Sequence, residues 1–335
     1  MIDRDATAPS DDVGTARAFW IREPGQGEIR DEPIAPPHSN EVIVRALYSG
    51  ISRGTESLVF RGSVPRSEWQ RMRAPFQIGD FPAPVKYGYS MVGRVEDGAA
   101  DLLGKTVFVL HPHQTRFVVP AAATHLVPDD VPPGRAVLAA NMETAINALW
   151  DARPHVGDRM SIIGAGTVGC LIAWLSSRVI GCEVELIDVN AGRAIVAQAL
   201  GVSFAEPASA HDDRDLVIHA SGSPSGLELA LRLAAYEARI IDVSWYGDQS
   251  VPLPLGGAFH ARRLSIVSSQ VGSIAPSQRA RWDTRRRMQL AMQLLADDAL
   301  DALITGESRF DDLPRVMATL ATTPGETLCH RIRYD

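Results

Sequence analysis

SIIGAGTVGCLIAWLSSRVIGCEVELIDVN, residues 161–190, is the stretch on which the reading of this chain turns. An apolar run (160–163) enters GAGTVG, an apolar helical stretch follows, Gly181 stops it, and a second apolar run ends on Asp188. Strand, glycine turn, helix, strand and terminal acid is the order that a dinucleotide-binding unit requires. Gly164 permits the tight turn out of the strand, Gly166 lets the backbone approach a pyrophosphate, and Gly169 lets the helix pack closely on the sheet. Thr167 and Val168 open that helix, whose free N–H groups and positive dipole end face the phosphates. Asp188 stands about 20 residues past the glycines, where a carboxylate accepts hydrogen bonds from adenosine ribose hydroxyls. A 2′-phosphate there meets like charge, which favours NAD(H) over NADP(H). The competing reading is a glycine-rich turn in an ordinary α/β domain; the strand and the acid in register weigh against it.

At 335 residues the chain has room for two domains. Hydrophobic residues make up 45% and charged residues 22%, with a net charge of −7 and no basic block. This balance argues against nucleic acid or an anionic membrane as a partner. The opening MIDRDATAPSDD is acidic and lacks the pattern of a signal peptide. The three cysteines, Cys170, Cys182 and Cys329, form no CxxC pair. They fit buried, inert thiols in a reducing cytoplasm and cannot build a four-cysteine zinc site.

Residues 1–15 read as a flexible acidic tail. From residue 16 to about 120, short apolar runs (41–47, 90–95, 106–110 and 116–119) separated by Gly and Pro predict a barrel-like antiparallel domain. SLVFRG (57–62) reads as a short helix or turn. Residues 136–153 are helical and lead into the dinucleotide fold. A helix (191–200) and strands at 216–220, 239–243 and 264–268 follow, so strands alternate with helices as in a doubly wound parallel sheet. A long amphipathic helix (281–295), LDALITGESRF, a helix (313–321) and a strand (327–334) return to the first domain. The domain scheme is therefore 16–139 with 273–335, and 140–272.

This organisation resembles the medium-chain dehydrogenase/reductase superfamily, the relatives of zinc alcohol dehydrogenase. The markers are SGISRGTE (49–56), YGYSMVGRV (87–95), NMETAINALW (141–150), GAGTVG and LDALITGESRF (300–310). The resemblance implies a GroES-like β-rich catalytic domain beside a Rossmann domain, and homodimerisation by edge pairing of the cofactor sheets, with 264–268 as the candidate edge. Within the superfamily the chain is similar to a zinc-lacking group that resembles bacteriochlorophyllide dehydrogenases. Zinc members carry a Cys where Ser52 stands here, and Gly-His-Glu where this chain reads Gly88-Tyr89-Ser90. Only Glu143 matches an acidic ligand position. A serine hydroxyl and a phenol are poor zinc ligands, so no metal is expected.

Without a metal, a hydrogen-bond donor must hold the substrate oxygen while a hydride moves to or from the nicotinamide. By the resemblance, Ser52, Thr55 and Tyr89 occupy the pocket, with Thr55 in place of the family's relay hydroxyl. Tyr89, with an ordinary pKa of about 10, acts as a neutral donor, or else fills the empty metal site. In HPHQTR (111–116), His113 is a candidate general acid, while His111 reads as part of a solvated turn. Arg53 suits a pyrophosphate or a surface ion pair. Arg193 suits stacking on adenine or a solvated helix charge. Ser221 and Ser244 end strands at the cofactor edge. RARWDTRRR (279–287) is either a solvated helix face or a site for an anionic substrate group. The expected function is NAD(H)-dependent interconversion of an alcohol and a carbonyl. Quinone or enone reduction and a non-catalytic NAD(H) sensor are the alternatives.

Overall fold

The computed structural model describes residues 14–323 and 325–334. Most of the expected tail, residues 1–13, lies outside the described residues, and Thr15 already belongs to a strand. The first part of the chain runs β1 (Thr15–Glu23), β2 (Gln26–Pro33), β3 (Glu41–Ile51), α1 (Arg53–Phe60), β4 (Ile78–Gly79), β5 (Val85–Lys86), β6 (Met91–Gly98), β7 (Thr106–Val109), β8 (Arg116–Pro120) and β9 (His125–Leu126). In β1, Ala16, Ala18, Phe19 and Ile21 point inward while Thr15 and Arg17 face out, the alternation of a strand with one wet face. β3 is buried along most of its length because β6 pairs with it on one side, and β8 also pairs with its first half. SLVFRG continues α1, whose Val59 and Phe60 enter the core around Phe19 and Phe81.

The middle of the chain alternates helix and strand: α2 (Ala139–Ala152), β10 (Arg159–Ile163), α3 (Thr167–Ser176), β11 (Glu183–Ile187), α4 (Ala194–Ala199), β12 (Ser203–Ala205), β13 (Arg214–His219), α5 (Pro224–Leu233), β14 (Ala234–Asp242), α6 (Ala258–Ala261) and β15 (Ser265–Ser268). The six strands form one parallel sheet in the order β12-β11-β10-β13-β14-β15. Both faces are covered, Met160 and Ile162 looking into one core and Ile163 and Val217 into the other, as parallel sheets require. The order reverses at β10, so the crevice for a ligand opens at the carboxyl ends of β10, β11 and β13.

The chain then passes through α7 (Thr284–Leu294), β16 (Ile304–Arg309), α8 (Leu313–Thr322) and β17 (Cys329–Arg333). α7 is shorter than the expected 281–295 because Asp283 caps it, accepting the Arg286 N–H at 2.7 Å. β17 inserts between β16 and β3, antiparallel to β3, and completes the large sheet β16-β17-β3-β6-β7-β9. Among the described residues no helix is long and apolar enough to cross a membrane.

Candidate active site

The glycine turn leaves β10 with Gly164 at φ +104°, where a Cβ would stand 2.6 Å from the Ser221 backbone. A Cβ on Gly169 would land on the Gly164 carbonyl oxygen. Gly166 differs: it is the N-cap of α3, and nothing lies within 4 Å of where its Cβ would be. Two glycines are therefore fixed by the protein's own packing, and the third borders open space at a helix N-terminus. Thr167 and Val168 form the first turn there, half-buried. Such a cradle fits a pyrophosphate.

Asp188 ends β11 beside this turn, accepting the Ala165 N–H at 2.7 Å and the Asn190 N–H at 2.9 Å. A carboxylate has about four acceptor positions, so capacity remains for ribose hydroxyls. Arg53, at the start of α1, lies in the fields of Arg193 and Asp188; burial and Arg193 pull its pKa down. The N-terminus of α1 thus faces the nucleotide crevice. Arg193 is buried, which corrects the solvated-charge reading, and donates to the Glu326 carbonyl at 2.7 Å. The Asn190 amide binds the Glu326 carboxylate at 2.9 Å, so the segment before β17 straps the crevice beside Asp188. Ser221 and Ser244 stand at the ends of β13 and β14. Their hydroxyls reach His219, at 2.6 Å from Nε2 and 3.2 Å from Nδ1 respectively.

Ser52 caps the N-terminal end of α1, and the Ser52 and Thr55 side chains hydrogen-bond Tyr89. Burial and the charge of Glu56 push the Tyr89 phenol up to about 12, against the pull of those two hydroxyls. Lys86 does not help to ionise it, for its ammonium is held by Glu32 at 2.6 Å and Gln114 at 2.8 Å. His113, the candidate general acid, lies inside the fold. It is buried, with Nε2 2.8 Å from Glu56 and Nδ1 2.7 Å from Ser49, which in turn meets the Tyr334 hydroxyl at 3.0 Å. His111, expected in a solvated turn, is also buried and stacks on Phe117 at 3.9 Å. Burial pushes it down to about 3. Phe117 of β8, beneath the turn, accounts for the correction at His111.

Glu56 carries the network and was missed in the sequence. One oxygen accepts the Ser52 N–H at 2.8 Å and the other faces His113. The legible signal was its spacing, four residues past an N-cap serine, from which a carboxylate reaches back over the first helical turn. The pairing of His219 with Asp242 was missed as well, although both residues end neighbouring strands.

The donors at the family's metal positions do not fit a tetrahedral zinc. Two are neutral hydroxyls, one of them a phenol held protonated. The third, Glu143, is taken by Arg287 at 2.9 Å, and Arg287 also binds Asn147 at 2.7 Å. Among the described residues no three His, Cys, Asp or Glu side chains converge. Arg287 is itself buried, which removes it from the run read as a solvated or substrate-binding face. Cys170 and Cys329 are buried, and burial lifts both thiols to about 12. Cys182, expected to be buried, is only half so, donating to the His155 carbonyl.

No protein-family model matches the chain. It is 24% identical over 304 residues to D-guloside 3-dehydrogenase of Escherichia coli K12, covering 80% of this chain and 86% of the relative. An uncharacterized zinc-type alcohol dehydrogenase-like protein of Haemophilus influenzae is 22% identical over 346 residues, covering 92% and 96%. The structure of an alcohol dehydrogenase of Escherichia coli CFT073, solved with NADH, superimposes with a TM-score of 0.75 at 19% identity, over 95% of this chain and 99% of the other.

Proposed function

Because the chain has the medium-chain dehydrogenase/reductase fold and its relatives are sugar and alcohol dehydrogenases, we propose that it is an NAD(H)-dependent, zinc-independent oxidoreductase interconverting an alcohol and a carbonyl. The observation that carries this reading is one juxtaposition. The first turn of α1 sends Arg53 toward Asp188 and Arg193, while Ser52 and Thr55 hold the Tyr89 hydroxyl. A phosphate-binding turn and a cluster of neutral hydroxyls thus meet at one crevice.

NAD(H), when bound, supplies or accepts the hydride. Gly166 and the first turn of α3 would hold its phosphates with Arg53, and Asp188 would hold the adenosine ribose. Arg193 would serve the adenine side, and Ser221 and Ser244 the nicotinamide half. Tyr89 donates a hydrogen bond to the carbonyl oxygen and, as the hydride reaches carbon, gives that oxygen its proton. An alkoxide is more basic than a tyrosinate with a pKa of about 12, so the transfer runs downhill. Ser52 and Thr55 donate to the phenolate left behind, and His113 keeps Glu56 in place as a positioning residue. The substrate is a small molecule, the compartment is the cytoplasm, and two copies pair through the exposed edge of β15.

The test is an NADH-coupled screen of alcohols, ketones and enones on metal-analysed protein. Turnover of an alcohol–ketone pair by zinc-free enzyme is expected. Stoichiometric zinc needed for turnover refutes the mechanism, enone reduction alone refutes the reaction, and NADH binding without turnover points to a sensor.

A further inference from the structure

The ends of β13 and β14 carry a network centred on His219 and Asp242, two residues to which the reaction above gives no part. His219 is fully buried. Its Nδ1 lies 3.0 Å from Asp242 Oδ1 and its Nε2 2.6 Å from the Ser221 hydroxyl. Tyr246 donates its hydroxyl to the other Asp242 oxygen at 2.9 Å, and the Ser244 N–H donates to Oδ1 at 3.0 Å. Gly226, in the first turn of α5, makes room for the network; a Cβ there would stand 2.7 Å from His219 Nε2 and collide with the Ser221 hydroxyl.

The connectivity is that of a nucleophilic serine with its base and orienting acid. Acyl transfer, however, also needs N–H donors aimed at an oxyanion. Here the two nearest amides are engaged, Gly222 with the Ser244 hydroxyl at 3.0 Å and Ser223 with the Ser221 hydroxyl at 3.2 Å. What the network does hold is a charge. Burial pushes the Asp242 carboxyl up, but His219, the Ser244 N–H and Tyr246 outweigh it and keep it below the ordinary carboxylate range. His219 Nδ1–H donates to Asp242, and Nε2 lies against the Ser221 hydroxyl. No Lys or Arg enters the network among the described residues.

The place of this charge follows from the topology. On the cofactor reading, phosphates would sit at the turn after β10 and the adenosine ribose at Asp188 after β11. The other half of the cofactor must then run over β13 and β14, where Ser221 already abuts Gly164. We infer that Asp242 is a fixed countercharge beneath the nicotinamide, favouring the cationic ring of NAD⁺ over the neutral ring of NADH. The inference rests on the cofactor reading proposed above.

The test measures dissociation constants for NAD⁺ by calorimetry and for NADH by fluorescence, on the unaltered chain and on Asp242→Asn. The expected result is about a tenfold loss for NAD⁺ with NADH little changed. That moves the potential of the bound couple up by about 30 mV. Equal losses, or none, overturn the inference while leaving the cofactor reading intact. Failure of the unaltered chain to bind either nucleotide overturns both. Should Asp242→Asn not fold, Asp242→Ser removes the same charge while keeping an oxygen acceptor for the Ser244 N–H. The same shift in the ratio is then expected, and an unchanged ratio refutes the inference.

Discussion

Replacing Gly166 by alanine separates cofactor binding from folding more cleanly than any other change in this crevice. The residue has φ −76° and ψ 177°, backbone that alanine adopts without strain, and its Cβ would have no neighbour within 4 Å. The fold therefore loses nothing. Restricting the unfolded chain adds about 0.4–1 kcal/mol of stability. The methyl group does occupy the space where phosphate oxygens reach the first-turn amides. Forfeiting one charge-assisted hydrogen bond there costs about 1.5–3 kcal/mol, roughly ten- to a hundredfold in Kd. NADH fluorescence titration and urea unfolding on the same preparation give both numbers. Gly169→Ala is the opposite control, since its Cβ lands on the Gly164 carbonyl oxygen and overpacking of this kind costs about 1–3 kcal/mol or more. If Gly166→Ala binds NADH as the parent does, or unfolds as easily as Gly169→Ala, the phosphate assignment is wrong.

Tyr89→Phe and Thr55→Val are expected to slow carbonyl reduction by orders of magnitude and enone reduction much less, read as kcat on matched substrates. With Tyr89 pushed up to about 12, only about one phenol in 10⁴ is ionised at pH 8. Alcohol oxidation should therefore accelerate with rising pH through the neutral range while carbonyl reduction stays flat. A plateau of oxidation near pH 7 would assign the base to another group. Glu143→Gln leaves Arg287 buried without its anion, and about 3–5 kcal/mol of unfolding free energy should go. Full stability of that variant would mean that the pair is not formed. His111, lowered to about 3, is neutral in the folded chain and ionises near 6.5 in the unfolded one. Its contribution is complete above pH 6.5 and is lost as pH falls toward 3, amounting to about 2 kcal/mol by pH 5. His111→Phe should therefore flatten the fall in Tm between pH 7 and pH 5, and an unchanged slope would refute the burial argument.

The Rossmann half was legible because its signals are local. Gly164, Gly166, Gly169 and Asp188 mark turn, helix start and strand end within 30 residues of chain, and the period of the flanking strands fixes the rest of β10, α3 and β11. The catalytic half was legible only in outline. Ser52, Thr55 and Tyr89 were found as a cluster through the resemblance, since nothing in their spacing brings α1 against the segment before β6. His111 went astray because a turn containing Pro and Gln reads as wet, whereas Phe117 of β8 supplies an apolar wall that only the folded chain reveals. The same holds for Arg287. In a run of arginines nothing marks the one that turns inward, and its partner Glu143 lies 144 residues away.

The position of β17 sets an order of assembly. This strand fills the gap between β16 and β3, so the sheet that supports Ser52 and the Tyr89 segment stays split until β17 has been synthesised. The strands β10 to β15 of the parallel sheet are all made earlier and can pair while the chain is still emerging, with α7 and the residues around Leu300 and Leu328 joining their core afterwards. During translation, then, the half begun first is sealed last, and the hydroxyl cluster comes together only when β17 arrives.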